Sequence, residues 1–143
     1  MGADDAIVVD APEDLDPSAI AKGLAGAIKA EDDFKLVLTG KLAIDDNAAS
    51  VSQMVAEYLG IPHATVVSKL EVNDGLVVAE RETEGGTREI LQMKLPAVIA
   101  ANKGLNMPRY ASLPGIMKAK KKTVKELTLE ASGAQTADVR VRY

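Results

Sequence analysis

"FKLVLTGKLAIDDNAASVSQMVAEYLG", residues 34–60, carries the reading of the fold. FKLVLTG (34–40) is a short apolar run closing on a glycine, the pattern of a strand buried on both faces. NAASVSQMVAEYLG (47–60) places Val51, Met54, Val55, Tyr58 and Leu59 at helical spacing and stops at Gly60, a C-cap residue. Strand, loop and helix in that order are half of a βαβ layer. The preceding residues supply a matching half. AIVVDA (6–11) reads as another buried strand. DPSAIAKGLAGAIKAE (16–31) opens with Asp16 as N-cap and Pro17 at the first helical position, and Ile20, Leu24 and Ile28 recur every four residues.

Beyond Gly60 the pattern changes. HATVVSKLEV and LVVAERETE are extended stretches separated by Asn73-Asp74-Gly75, a hairpin signal. TREILQMKLPAVIAAN follows Gly85-Gly86 as a further extended stretch, so the middle of the chain is expected to be antiparallel. Residues 109–124 read as a loop with a short helix, TVKELTLEA (123–131) as one more strand, and the remainder as a loop with a few extended residues. The expected fold is a single α/β domain over 1–143, with a partly parallel sheet flanked by helices and an antiparallel hairpin section. A sheet that begins at AIVVDA has few strands, so it is expected to be incomplete at the N-terminus.

Composition narrows the function classes. The chain has 143 residues, enough for a real core, with 47% hydrophobic and 27% charged residues. Only 3% are aromatic and the net charge is −4, so neither base stacking nor a general basic surface is available for nucleic acid. There is no cysteine, which excludes disulfides, thiolate metal sites and cysteine nucleophiles and fits a cytoplasmic protein. The first residues are acidic, unlike a secretory leader, and no apolar run is long enough for membrane insertion. A cytoplasmic location is therefore expected.

TGKLAIDDNAASVSQM (39–54) is the strongest local site signal. It joins the carboxyl end of a strand to the amino end of a helix, where open α/β sheets collect ligands and unpaired N–H groups suit phosphate. Gly40 lets the backbone approach closely, while Asp45, Asp46 and Asn47 suit either a helix cap or a ribose hydroxyl. Neither a Walker pattern nor a full GxGxxG is present. His63, the one histidine, has no cysteine or motif serine to work with, and no serine lies in a GxSxG setting. Glu80 and Glu82 share one side of a strand and Arg81 the other, as a solvated strand face would.

The other notable stretch is RYASLPGIMKAKKKTV (109–124). Here an acidic chain gathers Arg109, Lys118, Lys120, Lys121 and Lys122 around the apolar Leu113-Pro114-Gly115-Ile116-Met117. Lys118, Lys121 and Lys122 at helical spacing would form one positive face. The pattern suits a solvated helix end, a docking device whose tip enters a partner's pocket while lysines meet an acidic rim, or a phosphate-rich ligand.

Taken together, MGAD at the start, LVLTGKLAIDD (36–46), Gly60-Ile61-Pro62, ERETEGG (80–86) and KLPAVIAANKGLNMPRYASLPGIMKAKKK (94–122) resemble the beta subunit of electron transfer flavoprotein. The resemblance runs over roughly the first 125 residues, and the lysine-ending stretch is its most specific part. It implies an adenine nucleotide alpha hydrolase-like α/β domain that forms a heterodimer with an alpha subunit. It also implies FAD shared with that subunit, a structural AMP, and electrons accepted from acyl-CoA-type dehydrogenases, without catalytic residues of the chain's own.

By the same resemblance, Gly40, Lys41, Ala43, Ile44, Asp45, Asp46, Asn47, Ala49, Ser50 and Val51 fall on the AMP loop. Glu82 matches a glutamate that meets an arginine of the alpha subunit. Leu113 matches the anchor of a recognition loop, with Pro114, Ile116, Met117, Lys118 and Lys121 around the dehydrogenase contact. Two departures stand out. The family has further residues at both ends, so this chain reads as a truncated or divergent member. Where the family commonly has Asn-Gln-Thr, this chain has Ala49-Ser50-Val51, leaving only Ser50 with a side-chain donor. A bifurcating-class subunit would place a second FAD there; Asp45-Asp46 resembles the AMP class. The alternatives are a nucleotide-binding module without redox function, or a relative that self-associates as a homo-oligomer.

Overall fold

A computed structural model describes residues 2–141, so Met1, Arg142 and Tyr143 of the expected domain lie outside the described residues. Strand β1 (Ala6–Asp10) leads to helix α1 (Pro17–Lys29), then β2 (Leu36–Gly40) and α2 (Val51–Leu59). β3 (His63–Asn73), β4 (Leu76–Glu82), β5 (Arg88–Lys94) and β6 (Ala97–Ala101) follow. After them come α3 (Leu113–Ala119), β7 (Val124–Thr128) and a 3₁₀ turn at Thr136–Asp138.

The main sheet has five strands in the order β2-β6-β3-β4-β5. β6 runs parallel to both β2 and β3, whereas β3, β4 and β5 form an antiparallel meander. The extended stretch 87–102 is thus not one antiparallel element. Pro96 has no N–H to give to a ladder, the Leu95 amide donates to the Gly75 carbonyl, and β6 returns to the parallel part. Ala97, Val98, Ile99 and Ala100 are all buried, as a strand covered on both faces requires. Val98 packs with Ala21, Ala25, Val55 and Ala56 under α1 and α2, while Ala97 and Ile99 join Ala64, Val67, Val77, Ala79 and Met93 on the opposite face.

One expectation fails in an informative way. β1 does not extend the sheet of β2; it pairs in parallel with β7 as a separate two-stranded sheet. Between β1 and β2 runs an apolar groove of about 410 Å³, lined by Ile7 and Val9 on one wall, Leu36 and Leu38 on the other, and Leu24 and Ile28 of α1. Successive strands flanking one helix would ordinarily share a sheet. Among the described residues, β1 pairs only with β7 and β2 only with β6.

Helix α1 is held by its small residues and its cap. Asp16 accepts from the Ala19 amide at 2.8 Å, and its second oxygen accepts from the amides of Arg140 and Val141 at 2.7 and 3.0 Å. These bonds, the Ala19 one first, hold the buried Asp16 carboxyl below its ordinary range against the opposing effect of burial. Lys22 adds an ion pair to Asp138 at 2.7 Å. A Cβ on Gly26 would stand 1.6 Å from the Ser132 carbonyl oxygen, so α1 meets the turn after β7 backbone to backbone. The closing segment is therefore fastened to α1, a contact that sequence periodicity does not express.

Candidate functional site

The parallel strands β2 and β6 end side by side, Gly40 opposite Ala101, and the Lys41 amide donates to the Ala101 carbonyl at 3.0 Å. From there the chain leaves in two directions. After β2 it reaches α2, which packs on the Val98 face. After β6 it turns so that Leu105 packs on the Ile99 face. A crevice outside the carboxyl ends of neighbouring strands whose connections diverge is the usual ligand position in open α/β sheets. β3 is bulged at this edge: Ala64 faces Ile99 and Val67 faces Ala101, with Val66 at φ +60°. That value is rare for a β-branched residue and is held by the paired strands on either side.

The loop between β2 and α2 encloses a cavity of about 350 Å³ lined by Thr39, Gly40, Lys41, Leu42, Ala43, Asp46, Ala48, Ala49, Ser50, Val51 and Ser52, with Leu24 and Val55. Its size lies within the span of about 300–1,000 Å³ common for small-molecule sites. Of the loop residues named from sequence, Gly40, Lys41, Ala43, Asp46, Ala49, Ser50 and Val51 line it; Ile44, Asp45 and Asn47 do not. Ile44 instead points to solvent. Leu24, reached only through tertiary packing, gave no sequence signal for this role.

Helix α2 begins at Val51, four residues later than the spacing suggested. Asp45, Asp46 and Asn47 do not cap it. Asp45 accepts from the Asp46 amide and Asp46 from the Ala48 amide, forming a local turn. The cap position belongs to Ser50, whose side chain makes no capping bond. The first helical N–H groups therefore have no intrahelical acceptor and no side-chain cap, and no carboxylate sits in the first turn. Asn47 and Ala49 take left-handed φ values of 52° and 48°. The Asn47 amide donates to the Ala43 carbonyl at 3.1 Å, which closes the turn at the mouth of the loop. Behind it, Ser52 and Thr39 share a hydrogen bond of 2.7 Å, and the Ser52 hydroxyl also donates to the Gly40 carbonyl at 3.3 Å. These bonds tie the helix start to the strand end.

The segment after β6 carries exposed apolar side chains. Ser112 caps α3, accepting from the Gly115 amide at 3.2 Å, with Pro114 in the first turn. Leu113 is 73% exposed, and Met117, one turn on, shares its face. Pro114 is exposed too, while Ile116 is half-buried. The lysines do not form one helical face. Lys118 is in α3, Lys120 caps it, and Lys121 and Lys122 lie in the following turn. Lys122 donates from Nζ to the Ala3 carbonyl. Among the described residues no carboxylate pairs with Lys118, Lys120 or Lys121.

At the far end of the meander, Arg81 pairs with Glu89 at 2.6 Å and Arg88 with Glu80 at 2.8 Å. Arg88 is opposite Glu82 in register but reaches Glu80, so Glu82 is exposed without a cationic partner among the described residues. His63 is exposed at the start of β3. Among the described residues, no group of three His, Cys, Asp or Glu side chains is placed to hold a metal ion, and no helix is long and apolar enough to cross a membrane.

Comparison with known proteins agrees on one family. The model of the electron transfer flavoprotein domain matches residues 1–132. Electron transfer flavoprotein subunit beta of Bacillus subtilis is 43% identical over 133 residues, 91% of this chain and 51% of that protein. The subunit of Dictyostelium discoideum is 43% identical over 136 residues, 95% of this chain and 54% of the relative. The human subunit is 45% identical over 128 residues, 87% and 49% respectively. The chain spans about half the length of the curated relatives it matches.

Proposed function

We propose a function on one premise: this chain belongs to the electron transfer flavoprotein family. It serves as a beta-type subunit of an electron carrier, contributing a nucleotide cavity and a docking segment rather than catalysis. The observation that carries this reading is the divergence at the carboxyl ends of β2 and β6: the connection leaving β2 lines a cavity and ends at an uncapped helix start, and the segment leaving β6 leads on to an exposed leucine.

The donor set of the cavity fits an adenine nucleotide. Backbone N–H groups at the start of α2 and the Ser50 hydroxyl would hold the phosphate, and Asp46 is suited to a ribose hydroxyl or an amine. With alanine at 49 and valine at 51, the backbone supplies most of the grip, so AMP is held as a structural group with modest affinity. FAD, shared with an alpha subunit, supplies reversible electron uptake when bound. Toward that subunit this chain offers Glu82, whose carboxylate, without a cationic partner among the described residues, suits an arginine. Leu113 and Met117, flanked by Lys118 and Lys121, offer an apolar face with a cationic rim to an acyl-CoA-type dehydrogenase.

A second reading has its own support. The apolar groove between the open edges of β1 and β2 favours self-association by strand addition. Native mass spectrometry of the chain alone and co-expressed with an alpha subunit separates the two. A heterodimer carrying FAD, with or without an AMP mass, is expected. A ligand-free homo-oligomer that ignores the alpha subunit would overturn the carrier reading in favour of the second.

A further inference from the structure

The methionines of the described residues fall into two classes. Met93 is 9% exposed in the core beneath the meander, and Met54 packs against the cluster under α1 and α2. Met107 is 87% exposed and Met117 is 56% exposed. Both exposed methionines lie on the segment that carries Leu113, and Met117 shares a helix face with it. Tyr110, between them, is fully exposed. A thioether suits an apolar contact because it is flexible and polarisable. A sulfoxide does not, since its oxygen must be desolvated without a partner.

We propose that Met107 and Met117 are sites of reversible oxidation to methionine sulfoxide, and that oxidation there releases this chain from its docking partner. The proposal rests on the docking reading above. The oxidant is hydrogen peroxide, the product when dioxygen takes two electrons from a reduced carrier and two protons from that carrier or from water. A sulfur lone pair attacks one peroxide oxygen, the S–O bond forms and the O–O bond breaks. The departing hydroxide takes the proton of the transferred oxygen and leaves as water; sulfur loses two electrons and peroxide gains them. Reduction by a methionine sulfoxide reductase restores the thioether. A carrier that leaks electrons to dioxygen would in this way lose its supply of electrons until it is repaired.

The test treats the full chain with dilute hydrogen peroxide and maps all four residues by peptide mass spectrometry. Met107 and Met117 are expected to oxidise at least about tenfold faster than Met54 and Met93, as exposure dictates; equal rates overturn the proposal. The same samples are then titrated against an immobilised acyl-CoA dehydrogenase. Oxidation is expected to weaken binding about tenfold or more, with recovery after methionine sulfoxide reductase. A Met107→Leu/Met117→Leu variant, whatever its starting affinity, is expected to bind the same before and after peroxide. Binding that survives oxidation of both residues overturns the switch alone. Failure of the untreated chain to bind defeats the docking reading and the switch with it, a result distinct from either of the others.

Discussion

Helix α1 and the loops at the carboxyl edge of β2 and β6 treat their side chains in opposite ways. On α1, glycine and alanine replace bulk, a buried aspartate gathers the Ala19, Arg140 and Val141 amides, and the closing segment lies against the helix backbone. In the segments that leave β2 and β6, Ile44, Met107 and Tyr110 of the loops and Leu113 and Met117 of α3 stand in solvent, and the start of α2 has no side-chain cap. The first region gives up apolar area for close approach and satisfied polar groups. The second leaves apolar area and polar groups unused. The difference separates what holds the domain together from what stays free for the contacts proposed above.

Gly26→Ala should show the largest effect in the first region. A Cβ 1.6 Å from the Ser132 carbonyl oxygen forces helix and turn apart, at about 3 kcal/mol, against about 1 kcal/mol gained in helix propensity. Urea unfolding should show a net loss of about 2 kcal/mol; unchanged stability would mean that the turn is free to move and the contrast is weaker than drawn. Leu113→Ala should do the reverse. Its stability should change by less than about 0.5 kcal/mol, while dehydrogenase binding loses about 2 kcal/mol, the scale of an interface anchor. A fold that fails with this variant would move Leu113 into the first region.

Asp16→Ala removes the cap and the acceptor for the Arg140 and Val141 amides, at about 1–2 kcal/mol. Acid should imitate part of this. The folded pKa of Asp16 lies below its ordinary value of 3.8. Its contribution is therefore fully present above that value and is lost as pH falls through the lower, folded one. Acid unfolding monitored by circular dichroism should begin at higher pH in an Asp16→Asn variant; coincident curves would remove Asp16 from the clamp. The smallest effect belongs to Ser50→Ala. With no capping bond to lose, folding should be unchanged, while AMP affinity measured calorimetrically drops several-fold, about 1 kcal/mol. A loss of stability would show that the hydroxyl serves the helix and not a ligand.

The sequence alone settled whatever is local. Period and punctuation marked α1, with Asp16 and Pro17 at its start, the Asn73-Asp74-Gly75 hairpin, the strand ending at Gly40 and a short helix within 109–124, because caps, turns and alternation act over a few residues. The junction within 39–54 was legible for the same reason: a strand end and a helix start are adjacent in the chain. Tertiary structure decided the rest. It placed β6 between β2 and β3, set β1 against β7, brought Leu24 to the cavity wall, and put Ser132 against Gly26. Each of these joins residues distant in sequence, and the energy that selects among such pairings is set by the area and polar groups each one buries, which the spacing of residues along the chain does not record.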